Sequence, residues 1–244
     1  DDAAQLDVLP GWRTAEGTHM AAFRIVLGDG WKTYWRAPGT AGIPPAFDWT
    51  GSQNMDAIEF HWTVPEIQRQ NGLRVLGYEH QMVLPIEIAV TDTNATTRLA
   101  GEMQIGVCKD ICVPVTLNFD TVLPSQGSRD GTIVGAMLAQ PFTAEEAGGA
   151  VATCRLRPID DGLELTADVR VDQVGPGEIG VLEVSDPLLW VSEADYTRSG
   201  ERVSLQADII HPEGKPIALD RSGVRISLIA SNGVALDIRG CTSG

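Results

Sequence analysis

Apolar residues in this chain come in short runs. "MAAFRIVL" (20–27), "AIEFHW" (57–62), "MVLPIEIAV" (82–90), "RLAGEMQIGV" (98–107) and "VPVTLNFDTVL" (113–123) are bounded by Gly, Pro, Asn or Asp, and several approximate an alternation of period two. That period marks strands with one face buried, and no long 3.6-residue stripe competes with it. The pattern predicts an all-β sandwich over residues 1–124. It breaks at "PSQGSRDGTIVGAMLAQPFTAEEAGGA" (124–150), where Gly, Pro, Ser and small residues predict a linker over 125–150. A short helix over Thr132–Gln140 fits inside it, stopped by Pro141 and weakened by Gly135.

Beyond the linker the strand rhythm returns with "ATCRLRPI", "LELTADVRV", "EIGVLEV", "LLWVSEADY", "RVSLQADII", "VRISLIAS" and "VALDIRG". Asp-Gly in "RPIDDGLEL" and Asn-Gly in "IASNGVAL" are strong hairpin signals. They predict a second sandwich over 151–244. A length of 244 residues suits two cores of about 120 residues each.

Composition is that of a globular protein, 43% hydrophobic and 21% charged. The net charge of −15, with no Lys/Arg cluster, repels polyanions and sets nucleic acid aside as a partner. No stretch approaches the roughly 20 apolar residues of a bilayer span, and the acidic start lacks the basic and apolar regions of a signal peptide. The 244 residues read as soluble. His19, His61, His80 and His211 are scattered, without a nucleophile-elbow or phosphate-cradling glycine motif beside them.

The candidate chemistry lies in four cysteines. Cys154 and Cys241 stand near the first and last strands of the second half. Paired, they would close a loop of about 90 residues, worth about 4 kcal/mol on a chain-entropy estimate; two unpaired thiols are the alternative. Cys108 and Cys112, in "GVCKDICVPV" (106–115), are four residues apart and cannot bond along an extended strand. With strand patterns on both sides, Lys109, Asp110 and Ile111 form a three-residue hairpin loop that sets the cysteines opposite each other. So short a ring adds little to stability, which favours chemistry over stapling. A metal reading would recruit His80, Met82 and Met103 as soft ligands, but no second Cys or His spacing accompanies the pair.

"GWKTYWRAPGTAGIPPAFDWTGSQN" (30–54), "GYEHQMVLPIEI" (77–88) and "GVCKDICVPV" together resemble the N-terminal periplasmic domain of DsbD-type thiol:disulfide interchange proteins. The nearest branch is suppressor of copper sensitivity B (ScsB), whose cysteines share the CxxxC spacing. "LLWVSEADY" and "PIALDRSGVRISLIA" resemble the additional β-sandwich of that branch. The resemblance implies two immunoglobulin-like β-sandwiches in the periplasm and a protein-disulfide reductase activity linked to copper tolerance. Cys108 and Cys112 would take electrons from a membrane electron-transfer domain, in the same or a separate chain, and pass them to thioredoxin-fold disulfide proteins. Cys112 would form the mixed disulfide. A cap is implied over 65–80, with Leu73, Leu76 and Tyr78 as lid and Trp31 and Tyr34 beneath. No cofactor or metal is called for. A different class of function remains open: a non-catalytic module that binds copper or a partner through the two cysteines.

Overall fold

The alternating runs of the first half become strands in a computed structural model that describes residues 3–70 and 72–244. They are β1 (Ala4–Arg13), β2 (His19–Leu27), β3 (Lys32–Tyr34), β4 (Ala46–Asp48), β5 (Ala57–Phe60), β6 (Glu66–Gln70), β7 (Leu73–Glu79), β8 (Gln81–Ala89), β9 (Thr97–Cys108) and β10 (Cys112–Leu123). One sheet has the order β1-β2-β8-β5. The other runs β10-β9-β3-β7-β6, with β4 also on β9. The two sheets sandwich a core that follows the alternation: Met82, Leu84, Ile86 and Ile88 of β8 face Leu99, Met103, Ile105 and Val107 of β9 and Leu117 and Phe119 of β10. Phe23 and Phe119 bring their rings to 4.9 Å across the interior, and Phe47, Trp49 and Phe60 extend the cluster. Each such side chain contributes about 1.5–3 kcal/mol by leaving water.

The segment expected as a linker is divided between the two compact units, which meet at Gln140 and Pro141. Helix α1 (Gly131–Leu138) belongs to the first. Asp130 caps it, its carboxylate accepting from the amides of Thr132 and Ile133. Ile133 is buried against Met20 and Ala22 on the outer face of the first sheet. Burial of that one apolar side holds the helix despite Gly135.

The second unit comprises β11 (Phe142–Thr143), β12 (Val151–Ile159), β13 (Gly162–Arg170), β14 (Ile179–Glu183), β15 (Trp190–Val191), β16 (Asp195–Ser199), β17 (Arg202–Ile210), β18 (Arg225–Ile229), β19 (Ala235–Arg239) and β20 (Thr242–Ser243). Its sheets are β11-β19-β18-β14 and β15-β17-β13-β12-β20, with β16 on β17. Both expected hairpins form, β12–β13 around Asp160 and Asp161 and β18–β19 around a turn with Gly233 at φ 80°. "LLWVSEADY" is not one continuous strand. Val191 pairs with Ile209 and Asp195 with Gln206, so the register slips by one residue and a bulge separates β15 from β16. Both units are all-β and immunoglobulin-like.

Cys154 is buried and bonded to Cys241, with Cα atoms 5.7 Å apart across 87 residues of sequence. The double substitution Cys154→Ala/Cys241→Ala should lower the second unit's unfolding free energy by up to about 4 kcal/mol in urea titration, leaving the first unit's transition in place. His19 is buried in the first unit, its Nε2 on the Pro10 carbonyl at 2.6 Å, and burial holds its pKa below the ordinary imidazole value. A depressed folded-state pKa means the unfolded chain takes up the proton first. The first unit's stability should therefore be full above about pH 6.5 and fall as pH drops below it, and His19→Gln should flatten that slope.

Candidate functional site

Cys108 ends β9 and Cys112 begins β10. They are direct register partners and are disulfide-bonded, with Cα atoms 4.1 Å apart. Lys109, Asp110 and Ile111 form the loop between them, closed by the Lys109 amide on the Ile111 carbonyl at 3.2 Å. The pairing also settles which face of the sheet carries the bond. Val107 pairs with Thr33, whose side chain is buried within the sandwich, and the next pair along, Cys108 with Lys32, faces outward. Tyr34, Gly106, Val75, Leu73 and Gln70 follow the same alternation onto that outer face.

On this face the two sulfurs have unequal surroundings. Cys108 is 1% exposed, packed with Tyr34, Val75 and Ala41, while Cys112 is exposed. The Gln70 side chain lies across the bond, its Nε2 donating to Cys112 Sγ at 2.9 Å and also to Cys108 Sγ. The Tyr34 hydroxyl donates to Gln70 Oε1 at 3.1 Å and stands 3.3 Å from Cys112 Sγ. Burial raises the Tyr34 phenol above its ordinary value, outweighing the lowering from Gln70, so it remains a donor at neutral pH.

Two local features make room for this arrangement. A side chain at Gly106 would put its Cβ 2.9 Å from the Tyr34 ring and 2.7 Å from Ile43, so glycine lets both approach the strand beside the bond. The Gly/Pro-rich loop 37–45 supports the site: Ala41 packs on Cys108 and Tyr34, Ile43 on Gly106, and the Pro38 carbonyl accepts from the Leu76 amide at 3.0 Å.

The sequence-derived residues divide by face. Tyr34 is at the disulfide, and Leu73 is on the same face, half-exposed opposite Gln70. Leu76 and Tyr78 are buried and point inward, because each is one residue out of phase with Val75 and Gly77. Tyr78 instead donates its hydroxyl to the Thr63 carbonyl at 2.9 Å, its phenol pushed up by burial. Trp31 is half-buried ahead of β3, its amide on the Gly28 carbonyl. Met82 is buried on the opposite sheet and Met103 in the interior five residues before Cys108, so neither is placed to join the cysteines around a metal. Lys109 holds its ammonium on the Asp29 carbonyl at 2.9 Å. Gln70 lies within the cap segment, and only strand pairing reveals that it shares a face with the cysteines.

Residues 3–124 match the family model for the N-terminal domain of thiol:disulfide interchange protein DsbD. No curated protein matches the sequence. Among solved structures, the N-terminal periplasmic domain of ScsB from Proteus mirabilis is similar over 100% of this chain and 95% of that one, with a TM-score of 0.69 and 21% identity.

If Gln70 blocks access to the bond, Gln70→Ala should speed its reduction by a small thiol several-fold, whereas Leu76→Ala should act mainly on stability, at a cost of about 2–5 kcal/mol. Quenched-alkylation time courses and thermal melts separate the two effects.

Proposed function

The chain belongs to the family of DsbD N-terminal domains, a family of thiol-disulfide exchange modules, and from that premise we propose that its first unit relays electron pairs between a membrane electron-transfer domain and thioredoxin-fold disulfide proteins in the periplasm. The observation that carries this reading is the inequality of the two sulfurs: Cys112 is exposed and Cys108 is 1% exposed. A visiting protein meets Cys112 first.

In the reduced form, the Cys112 thiolate attacks a partner disulfide; that S–S bond breaks, and one partner sulfur leaves as a thiolate. The Cys108 thiolate then attacks the Cys112 sulfur of the mixed disulfide. The Cys108–Cys112 bond forms and the second partner sulfur is released, so two electrons have moved to the partner. Reduction by the membrane domain runs the same exchange in reverse. The donor placed on Cys112 Sγ is the neutral Gln70 amide, and the Tyr34 hydroxyl, 3.3 Å from the same sulfur, is freed to donate to it when Gln70 moves away. Hydrogen bonds to a thiolate favour the charged, nucleophilic form.

The surroundings support docking. Ile111 at the hairpin tip is 69% exposed, Leu73 50% and Ile43 40%, an apolar rim around the Cys108–Cys112 bond. Such a rim offers a partner apolar area to bury while Gln70 swings aside.

Cys108→Ser should trap a mixed disulfide between Cys112 and a thioredoxin-fold partner, seen as a reducible adduct on a non-reducing gel, and Cys112→Ser should trap none. Both variants should lose electron transfer. Transfer that persists in Cys112→Ser would refute the assignment.

A further inference from the structure

The outer face of the other sheet, the one that does not carry Cys108 and Cys112, holds a second group of ionisable side chains. Glu59 on β5 and Glu87 on β8 are direct cross-strand partners, and His61 lies just beyond β5. Their ligand atoms, two carboxylate oxygens and an imidazole nitrogen, lie within 4.8 Å of one another. Like charges opposite each other on a ladder repel, and a cation between them turns that repulsion into attraction.

The imidazole is fixed in one tautomer. Gln140 donates its Nε2 to the Met137 carbonyl at 2.9 Å, which settles the orientation of its amide. Its Oε1 therefore faces His61 Nδ1, at 3.3 Å. An oxygen acceptor there requires a proton on Nδ1 and leaves the lone pair of a neutral ring on Nε2. That Nε2 is buried, makes no hydrogen bond, and stands 3.4 Å from Glu87 Oε2. A lone pair facing a carboxylate oxygen is repulsive, and either a proton on Nε2 or a cation between the two groups relieves it. The carboxylate is positioned as well: Thr18 donates its hydroxyl to Glu87 Oε1 at 2.5 Å, leaving Oε2 to face the ring.

We propose that Glu59, His61 and Glu87 bind a divalent cation of the zinc class. Two ligands about 2.0–2.2 Å from a tetrahedral zinc ion lie about 3.4 Å apart, the separation found between Nε2 and Oε2. One imidazole with two carboxylates suits zinc better than calcium or magnesium, which prefer all-oxygen sets. Gln140 and Thr18 act as the outer hydrogen-bond partners that orient the ligands. Glu59, more exposed, closes the third side. Three protein ligands leave the fourth position for water. The site is independent of the cysteine chemistry, since its ligands come from β5, β8 and the segment that follows β5.

The test is titration of the oxidised 244-residue chain with Zn2+, both disulfides intact so that no thiol competes. Calorimetry should show one ion per chain. His61→Ala and Glu87→Gln should each abolish that binding, and Gln140→Leu should weaken it about tenfold or more. Cys108→Ser/Cys112→Ser should bind as the parent does. In the unaltered chain, histidine 15N spectra should show His61 Nε2 shifting on Zn2+ addition while Nδ1 keeps its proton, a readout that needs no variant to fold. The proposal falls if no saturable uptake occurs, if uptake survives His61→Ala, or if the His61 Nε2 signal stays unshifted in excess Zn2+.

Discussion

The site rests on one register. Because Cys108 and Cys112 are opposite each other at the mouth of the β9–β10 hairpin, their sulfurs bond without any distant part of the chain having to close. The ladder continues through twelve pairs to Thr97 and Leu123, and its alternation is pinned by Met103, Ile105, Leu117 and Phe119 in the interior. A slip of one residue would turn those side chains outward and carry the cysteines into the core. The hydrophobic core therefore holds the Cys108–Cys112 bond on the outer face indirectly, by fixing the phase of the strands beneath it.

The same covalent bond serves two physical ends in this protein. Cys154 and Cys241 span 87 residues around a buried sulfur, where closing a long loop constrains the unfolded chain and the bond has little contact with solvent. Cys108 and Cys112 span four, where closure adds almost nothing to stability and one partner is exposed. Loop length and exposure together set the two bonds apart.

Among the described residues, the neutral Gln70 amide, not a formal charge, donates to the exposed sulfur. Lys109 is adjacent in sequence but anchored on the Asp29 carbonyl, and Lys32, across the ladder from Cys108, pairs with Glu79. Gln70 contributes a donor and a steric cover through one side chain. A carboxamide satisfied by Tyr34 on one side and by sulfur on the other can exchange those partners for water at small net cost when it moves away.

Local pattern alone determined much of this protein: strand class throughout, two cores, the β9–β10 hairpin with its three-residue loop, and the facing of its cysteines. Period-two alternation and turn chemistry act between neighbours in the chain, so the sequence displays them directly. Which distant strands pair was decided only by the tertiary structure, and with it came Gln70 on the disulfide, Leu76 and Tyr78 turned into the core, and His61 joined to Glu59 and Glu87 by β5 and β8. Those placements depend on a one-residue phase between segments far apart in sequence. That phase is set by packing across the sandwich, where no local pattern records it.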